Sequence, residues 1–211
     1  MNKRQLLVLA GLQSALALAG CGKRTPAVAA LKPDARVLAL GDSLTVGYGA
    51  APEQAWPALL AQLTGWQVEN AGLNGDTSAG ALQRLQALLA AHSYDAVLIG
   101  IGGNDMLRGR SPQGTKDNVA AIVRQALAHT PYVAVIATPA PEPLRATVGS
   151  LSDAGFYAEV AKAEKVLLIP EVYATVLSDP ALRSDPIHAN AQGYAAVAQQ
   201  LADKLKTAGW R

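Results

Sequence analysis

The sequence predicts one α/β domain: a five-stranded parallel sheet with helices on both faces. Three observations predict it. Five short apolar segments alternate with longer segments of helical spacing. Most of the short segments are continuously apolar rather than alternating, as strands buried on both faces must be. A length of 211 residues at 50% hydrophobic content suffices for one complete core.

The elements follow in order. Residues 36–40 form an apolar strand ending at Gly41. Residues 56–64 form a helix, with Pro57 in its first turn and Gly65 just past its end. Residues 67–70 are a short alternating strand. Residues 78–91 are a helix with Leu82, Leu85, Leu88 and Leu89 on one side. Residues 95–101 are a buried strand, 115–130 a long helix and 132–138 another apolar strand. Residues 152–162 are expected to be helical, 166–169 the last strand and 191–207 an amphipathic helix before Gly209. No repeat of 20–50 residues interrupts the pattern.

Composition excludes several classes. The chain is too apolar and too weakly charged for disorder, with 16% charged residues. Its single Cys rules out an internal disulfide and a Cys-cluster metal site. The formal charge of +2 resides in Lys3 and Arg4, in a stretch of twenty residues without Asp or Glu. The other basic residues equal the 16 acidic ones, so no basic footprint argues for nucleic acid.

Residues 1–20 read as a secretory signal peptide: Lys3 and Arg4, then an apolar stretch from Leu6, then small residues. The stretch is short for a membrane span and is broken by Gln13 and Ser14. Leu18-Ala19-Gly20-Cys21 resembles the bacterial lipobox, which implies cleavage before Cys21 and acylation of its sulfur. Gly22 rather than Asp after the Cys favours the outer membrane, by resemblance to Gram-negative lipoproteins. The expected organisation is a signal peptide (1–20), a lipidated N-terminus and tether (21–34) and the α/β domain (35–211). The expected location is the periplasmic side of a bacterial envelope, held by lipid.

In parallel α/β sheets ligands bind beyond the carboxyl ends of the strands. Four segments lie there. Gly41-Asp42-Ser43-Leu44-Thr45 follows the first strand; its Ser is a possible nucleophile, or its Asp and Ser cap a helix. It is not the G-x-S-x-G elbow, because Thr45 replaces the second Gly. Residues 70–78 follow the second strand, with Gly72 and Gly75 for turns and Asp76, Thr77 or Ser78 as a helix cap. Residues 100–105 (Gly-Ile-Gly-Gly-Asn-Asp) follow the third; no P-loop is present, and G-x-G-x-x-G fails at Asp105. Asp185-Pro186-Ile187-His188 precedes the last helix, a spacing that lets one carboxylate reach the imidazole Nδ1. His92 and His129 each close a predicted helix and are assigned to structure, where a positive ring suits the dipole. No second His or Cys accompanies His188, so metal binding is not expected.

Together, in this order, the four segments resemble the SGNH (GDSL) hydrolase family, and within it the bacterial thioesterase I, lysophospholipase and arylesterase group. The likeness runs over residues 36–210 and includes Trp56-Pro57-Ala58-Leu59-Leu60 and Leu107-Arg108-Gly109. It implies a flavodoxin-like three-layer α/β/α sandwich. It also implies Ser43 as nucleophile, His188 as base and Asp185 orienting it, with an oxyanion hole from the Ser43 N–H, the Gly75 N–H and the Asn104 side-chain amide. Asp42 and Asp105 would hold loops, and no metal or organic cofactor is implied. Two departures stand out. The family often has His-Pro-Asn where this chain has His188-Ala189-Asn190, and residues 139–157 do not match the thioesterase group.

The implied activity is hydrolysis of carboxylic esters, extending to thioesters or lysophospholipids, through an acyl-enzyme. The implied partners are a small acyl ester or amphiphilic lipid, and a membrane through the N-terminal lipid. No obligate protein partner is indicated. Two alternatives remain: an esterase removing O-acetyl groups from envelope glycans, and a non-catalytic envelope lipoprotein that keeps the fold.

Overall fold

The computed structural model describes residues 29–141 and 150–211. The expected signal peptide, Cys21 and most of the expected tether lie outside them. Strands β1 (Arg36–Gly41), β2 (Gln67–Gly72), β3 (Ala96–Gly100), β4 (Val133–Ile136) and β5 (Leu167–Ile169) form one parallel sheet. Their spatial order is β2-β1-β3-β4-β5. The helices are α1 (Ser43–Val46), α2 (Trp56–Thr64), α3 (Ser78–Ala91), α4 (Gly103–Leu107), α5 (Pro112–Leu127), α6 (Phe156–Glu164), α7 (Val172–Ser178) and α8 (Ala191–Thr207).

Alternate residues of each inner strand feed two separate cores. Ala39, Leu98 and Ile136 pack with α2, α7 and α8 through Trp56, Leu60, Tyr173, Val197 and Leu201. Leu38, Leu40, Val97, Ile99 and Val135 pack with α3, α5 and α6 through Leu85, Ile122, Val123 and Val160. This is the three-layer α/β/α sandwich. Burying a Val, Leu or Ile side chain contributes about 1.5–3 kcal/mol, so the β3 run Ala-Val-Leu-Ile serves both layers at once.

Several boundaries differ from expectation for identifiable reasons. Helix α5 starts at Pro112, three residues early, because Ser111 accepts from the Gly114 N–H and Pro112 takes the first helical position. Helix α6 starts at Phe156 rather than 152, because Pro139 and Asp153 form an antiparallel bridge. Helices α1 and α4 arise in the loops after β1 and β3, and α7 was not anticipated; all three are too short to show a helical period. Helix α7 follows Glu171, a non-glycine residue at φ +65°.

His129 departs from its expected role. Helix α5 ends at Leu127, and the His129 Nε2 accepts the Tyr94 N–H at 3.1 Å. A ring nitrogen that accepts a bond carries no proton there, so His129 acts as a neutral acceptor rather than a charge on the dipole. His92 caps the end of α3, 4.0 Å from Glu69. Neither ring lines the cleft described next.

Candidate active site

Gly41, Gly72 and Gly100 stand in register at the ends of β1, β2 and β3. Two of them must be glycine. A Cβ on Gly41 would lie 2.0 Å from Thr45 Oγ1, and one on Gly72 would lie 2.4 Å from the Val46 nitrogen. The bare strand ends let α1 sit directly on the sheet edge, which presents Ser43 at its first position.

Asp42 is the N-cap of α1; its Oδ1 accepts the Leu44 N–H at 3.0 Å. Its Oδ2 accepts from Asn104 Nδ2, on α4, at 3.4 Å. Asp42 is 2% exposed. Burial pushes its carboxyl up to about 6, against the Leu44 N–H and His188, which pull it down; nearby Asp76 adds to the rise.

The loop after β2 turns at Leu73–Asp76, where the Asp76 N–H donates to the Leu73 carbonyl at 3.0 Å. Gly75 sits at the third position with φ +72°, as a type II turn requires. That turn's own bond does not use the Gly75 N–H. Its carbonyl accepts from Arg108, which follows α4, at 2.9 Å. Below it, Asp76 pairs with Arg84 at 2.8 Å, and Arg84 also donates to the Gly41 carbonyl at 3.0 Å. Asp105 accepts from the Ser78 N–H at 2.7 Å and its hydroxyl at 2.8 Å. The β2 and β3 loops are thereby tied together beneath the cleft.

The segment before α8 brings its pair to Ser43. Ser43 Oγ lies 2.9 Å from His188 Nε2, and His188 Nδ1 lies 2.7 Å from Asp185 Oδ2. The other Asp185 oxygen accepts the N–H groups of Ile187 and His188 at 2.9 and 2.8 Å. Asp185 is held below the usual carboxylate range. Its partial burial opposes this, but the imidazole and the two N–H groups outweigh it. Ala189, where the family often has Pro, is buried and bridges to Arg183, so the loop's internal bonding does not depend on that Pro.

These groups border a cleft of about 470 Å³ that also touches Leu44, Tyr48, Leu107, Pro139, Leu151 and Ile187. Chemically, the hydroxyl can lose its proton to an imidazole whose far nitrogen is held by a carboxylate. Among the described residues no group of three His, Cys, Asp or Glu is placed to hold a metal ion. Ser43, Gly75, Asn104 and His188 all line the cleft, with Asp185 behind His188.

Two contributors carried no sequence signal. The Tyr48 ring lies 4.5 Å from the His188 ring. Gly49, at φ +95°, lets the β1 loop touch the His188 loop; a Cβ there would lie 2.2 Å from Ser184 Oγ. Their partners are so distant in sequence that no local period could mark them.

The model of the GDSL-like Lipase/Acylhydrolase family matches residues 39–196, a span that includes every segment above. The chain belongs to this family. Among GDSL relatives, the thioesterase 1/protease 1/lysophospholipase L1 of Escherichia coli (strain K12) is 36% identical over 180 residues, 81% of this chain and 83% of that protein. A crystal structure of TesA has a TM-score of 0.72 at 30% identity, covering 82% of this chain and 99% of that one. The psychrotrophic esterase EstA from Pseudoalteromonas sp., in a structure inhibited by monoethylphosphonate, also has a TM-score of 0.72, at 27% identity over 82% of this chain and 98% of that one. The fold is that of SGNH hydrolases, and family membership makes this GDSL protein an ester hydrolase.

Proposed function

We propose that the chain is a serine esterase for acyl esters and amphiphiles, working through Ser43, His188 and Asp185. Ser43 Oγ attacks the ester or thioester carbonyl while His188 Nε2 takes its proton. Asp185 holds the ring in the right tautomer and stabilises the imidazolium. The tetrahedral oxyanion is met by the N–H groups of Ser43 and Gly75 and by the Asn104 amide. His188 returns its proton to the leaving alcohol or thiol. Water then repeats the sequence on the acyl-enzyme and releases the acid.

The observation that carries this reading is the apolar character of the cleft and its rim. Five large hydrophobic side chains are exposed among the described residues. Tyr48, Leu107 and Ile187 line the mouth, and Leu73 immediately precedes the lining residues Asn74 and Gly75. Leu63 is the remaining one. An apolar rim continuous with an apolar cleft suits a substrate with an acyl chain.

Residues 1–20 act as the signal peptide, Cys21 carries lipid, residues 21–34 form the tether and 35–211 the hydrolase domain, on the periplasmic side of the outer membrane. The Leu31 N–H donates to the Trp210 carbonyl, just before β1 begins, whereas the cleft lies past the strand ends. The ten peptide steps from Cys21 to Leu31 span at most about 35 Å. An anchor there would tether the domain by the pole opposite the cleft.

Hydrolysis of p-nitrophenyl acetate, butyrate, octanoate and palmitate, beside a Ser43→Ala control, tests the proposal. Activity that vanishes in the control and peaks above acetate is expected. A profile confined to acetate favours removal of O-acetyl groups. Folded protein with no activity on any ester overturns the substrate class.

A further inference from the structure

Three carboxylates are buried beneath the cleft, and they are not equivalent. Asp76 has Arg84, and Asp105 has both donors of Ser78. Neither Asp42 nor Asp105 has an ion pair among the described residues, but Asp42 lacks the two short bonds that Ser78 gives Asp105. The two bonds of Asp42 are to the Leu44 N–H and the Asn104 amide. An unpaired buried carboxylate is costly, so its retention needs a reason.

Capping does not supply that reason. Helices α3, α5 and α8 are capped by neutral Thr77, Ser111 and Asn190, each accepting an N–H from inside its helix. A neutral side chain could do the same for α1. What a carboxylate adds is a second acceptor oxygen, and Asp42 Oδ2 faces Asn104 Nδ2. An Asn in its place would bond Leu44 through Oδ1 and present NH2 to NH2.

We infer that Asp42 is a positioning residue for the oxyanion donor: it engages one hydrogen of the Asn104 amide, fixes which way the amide faces, and so aims the other hydrogen into the cleft. The inference rests on the proposed role of Asn104. Asp42 touches no reacting atom. It sets a donor's direction before charge develops, and such donors act through their preorganisation.

Both Asp42 oxygens accept, so a proton on the carboxyl competes with one of the two bonds and the effect depends on pH. The groups facing Asp42 are His188 from the loop before α8, Asp76 with its Arg84, and the buried phenols Tyr157, Tyr173 and Tyr194. Asp105 lies next to Asn104 and is tied to Ser78. Burial raises all three phenols, which stay neutral. Below about 6 the Asp42 carboxyl gains a proton and turnover loses this support.

A double-mutant cycle tests the inference on the full chain, with p-nitrophenyl butyrate as substrate. Asn104→Ala alone should lower kcat by about 10²–10³. Asp42→Asn alone should lower kcat by about tenfold or more with KM unchanged, and should remove one of two ionisations from the acid limb of the pH–kcat profile. In the Asn104→Ala background, Asp42→Asn should have no further effect on kcat. Asp42→Ser, which keeps a cap oxygen, repeats the cycle without the opposing NH2. If Asn104→Ala leaves kcat unchanged, the assigned role of Asn104 is wrong. If Asn104→Ala lowers kcat but the Asp42 effect persists in that background, Asp42 acts elsewhere, for example on His188, and the inference is overturned.

Discussion

The Tyr194 hydroxyl donates to the carbonyl of Tyr48 at 2.9 Å, across 146 residues of chain. Tyr194 is fully buried on α8, whereas the Tyr48 ring is half exposed against His188. The last helix thus secures the loop after α1, and that loop carries an aromatic face to the imidazole. Gly49, the next residue, completes the contact between the β1 loop and the loop holding Asp185 and His188.

Gly49→Ala should therefore damage both stability and turnover. The positive φ alone costs a non-glycine residue about 1–3 kcal/mol. The added carbon would also lie 2.8 Å from the Ala189 carbonyl, in the His188 loop. Chemical denaturation should show the loss of stability. Turnover measured at a temperature where the variant is folded should fall as well, because Ser43 and His188 move apart. Turnover equal to wild type would show that this contact does not set the pair.

Asp185→Asn keeps an oxygen for the Ile187 and His188 N–H groups but puts an NH2 against His188 Nδ1. The ring then presents Nε2–H to Ser43, the wrong tautomer for a base. Turnover should fall by roughly 10²–10⁴, with little change in fold. The Asp185 carboxyl lies below its ordinary value in the folded chain, so its stabilising contribution is present above the usual carboxylate range. That contribution is lost as pH falls through the folded value. Acid unfolding of Asp185→Asn should lack this component.

Asp42 has the opposite sign. Its carboxyl is raised to about 6, so between roughly pH 4 and 6 the folded chain holds a proton that the unfolded chain has released. Stability from this group falls as pH rises through that window, by on the order of 3 kcal/mol. Asp42→Asn removes the slope. Relative to wild type, the variant should be more stable at pH 7 than at pH 4, as read from denaturant midpoints. A constant difference across the range would show that Asp42 is not raised.

Cys21→Ser should abolish incorporation of labelled palmitate and release the protein from membrane fractions. Its kcat/KM on soluble p-nitrophenyl butyrate should be unchanged, because the chain enters the fold at the pole opposite the cleft. Unaltered labelling in the variant would remove the proposed anchor.

Four of the five strands were legible because Val, Leu, Ile and Ala run without interruption, as in Ala96–Gly100, whereas the edge strand β2 was legible only as a short alternation. Helices α2, α3 and α8 were legible to the residue because each has a cap or a breaker at its ends, such as Gly65 after α2 and Asn190 before α8. The one-turn helices α1 and α4 were not, since four or five residues carry no period. The Asp185–His188 pairing was readable because the partners are only three positions apart in one loop. The sequence by itself thus determined the layered fold, and it placed Ser43, Gly75 and Asn104 at the ends of successive strands. Tertiary structure alone decided that Ser43 and His188, 145 residues apart, meet at 2.9 Å, that Tyr48 faces the imidazole, and that Asp42 turns toward Asn104 instead of toward a cation. The physical reason is range: strand and helix patterns are local, whereas these contacts depend on which strand ends the sheet order β2-β1-β3 sets side by side.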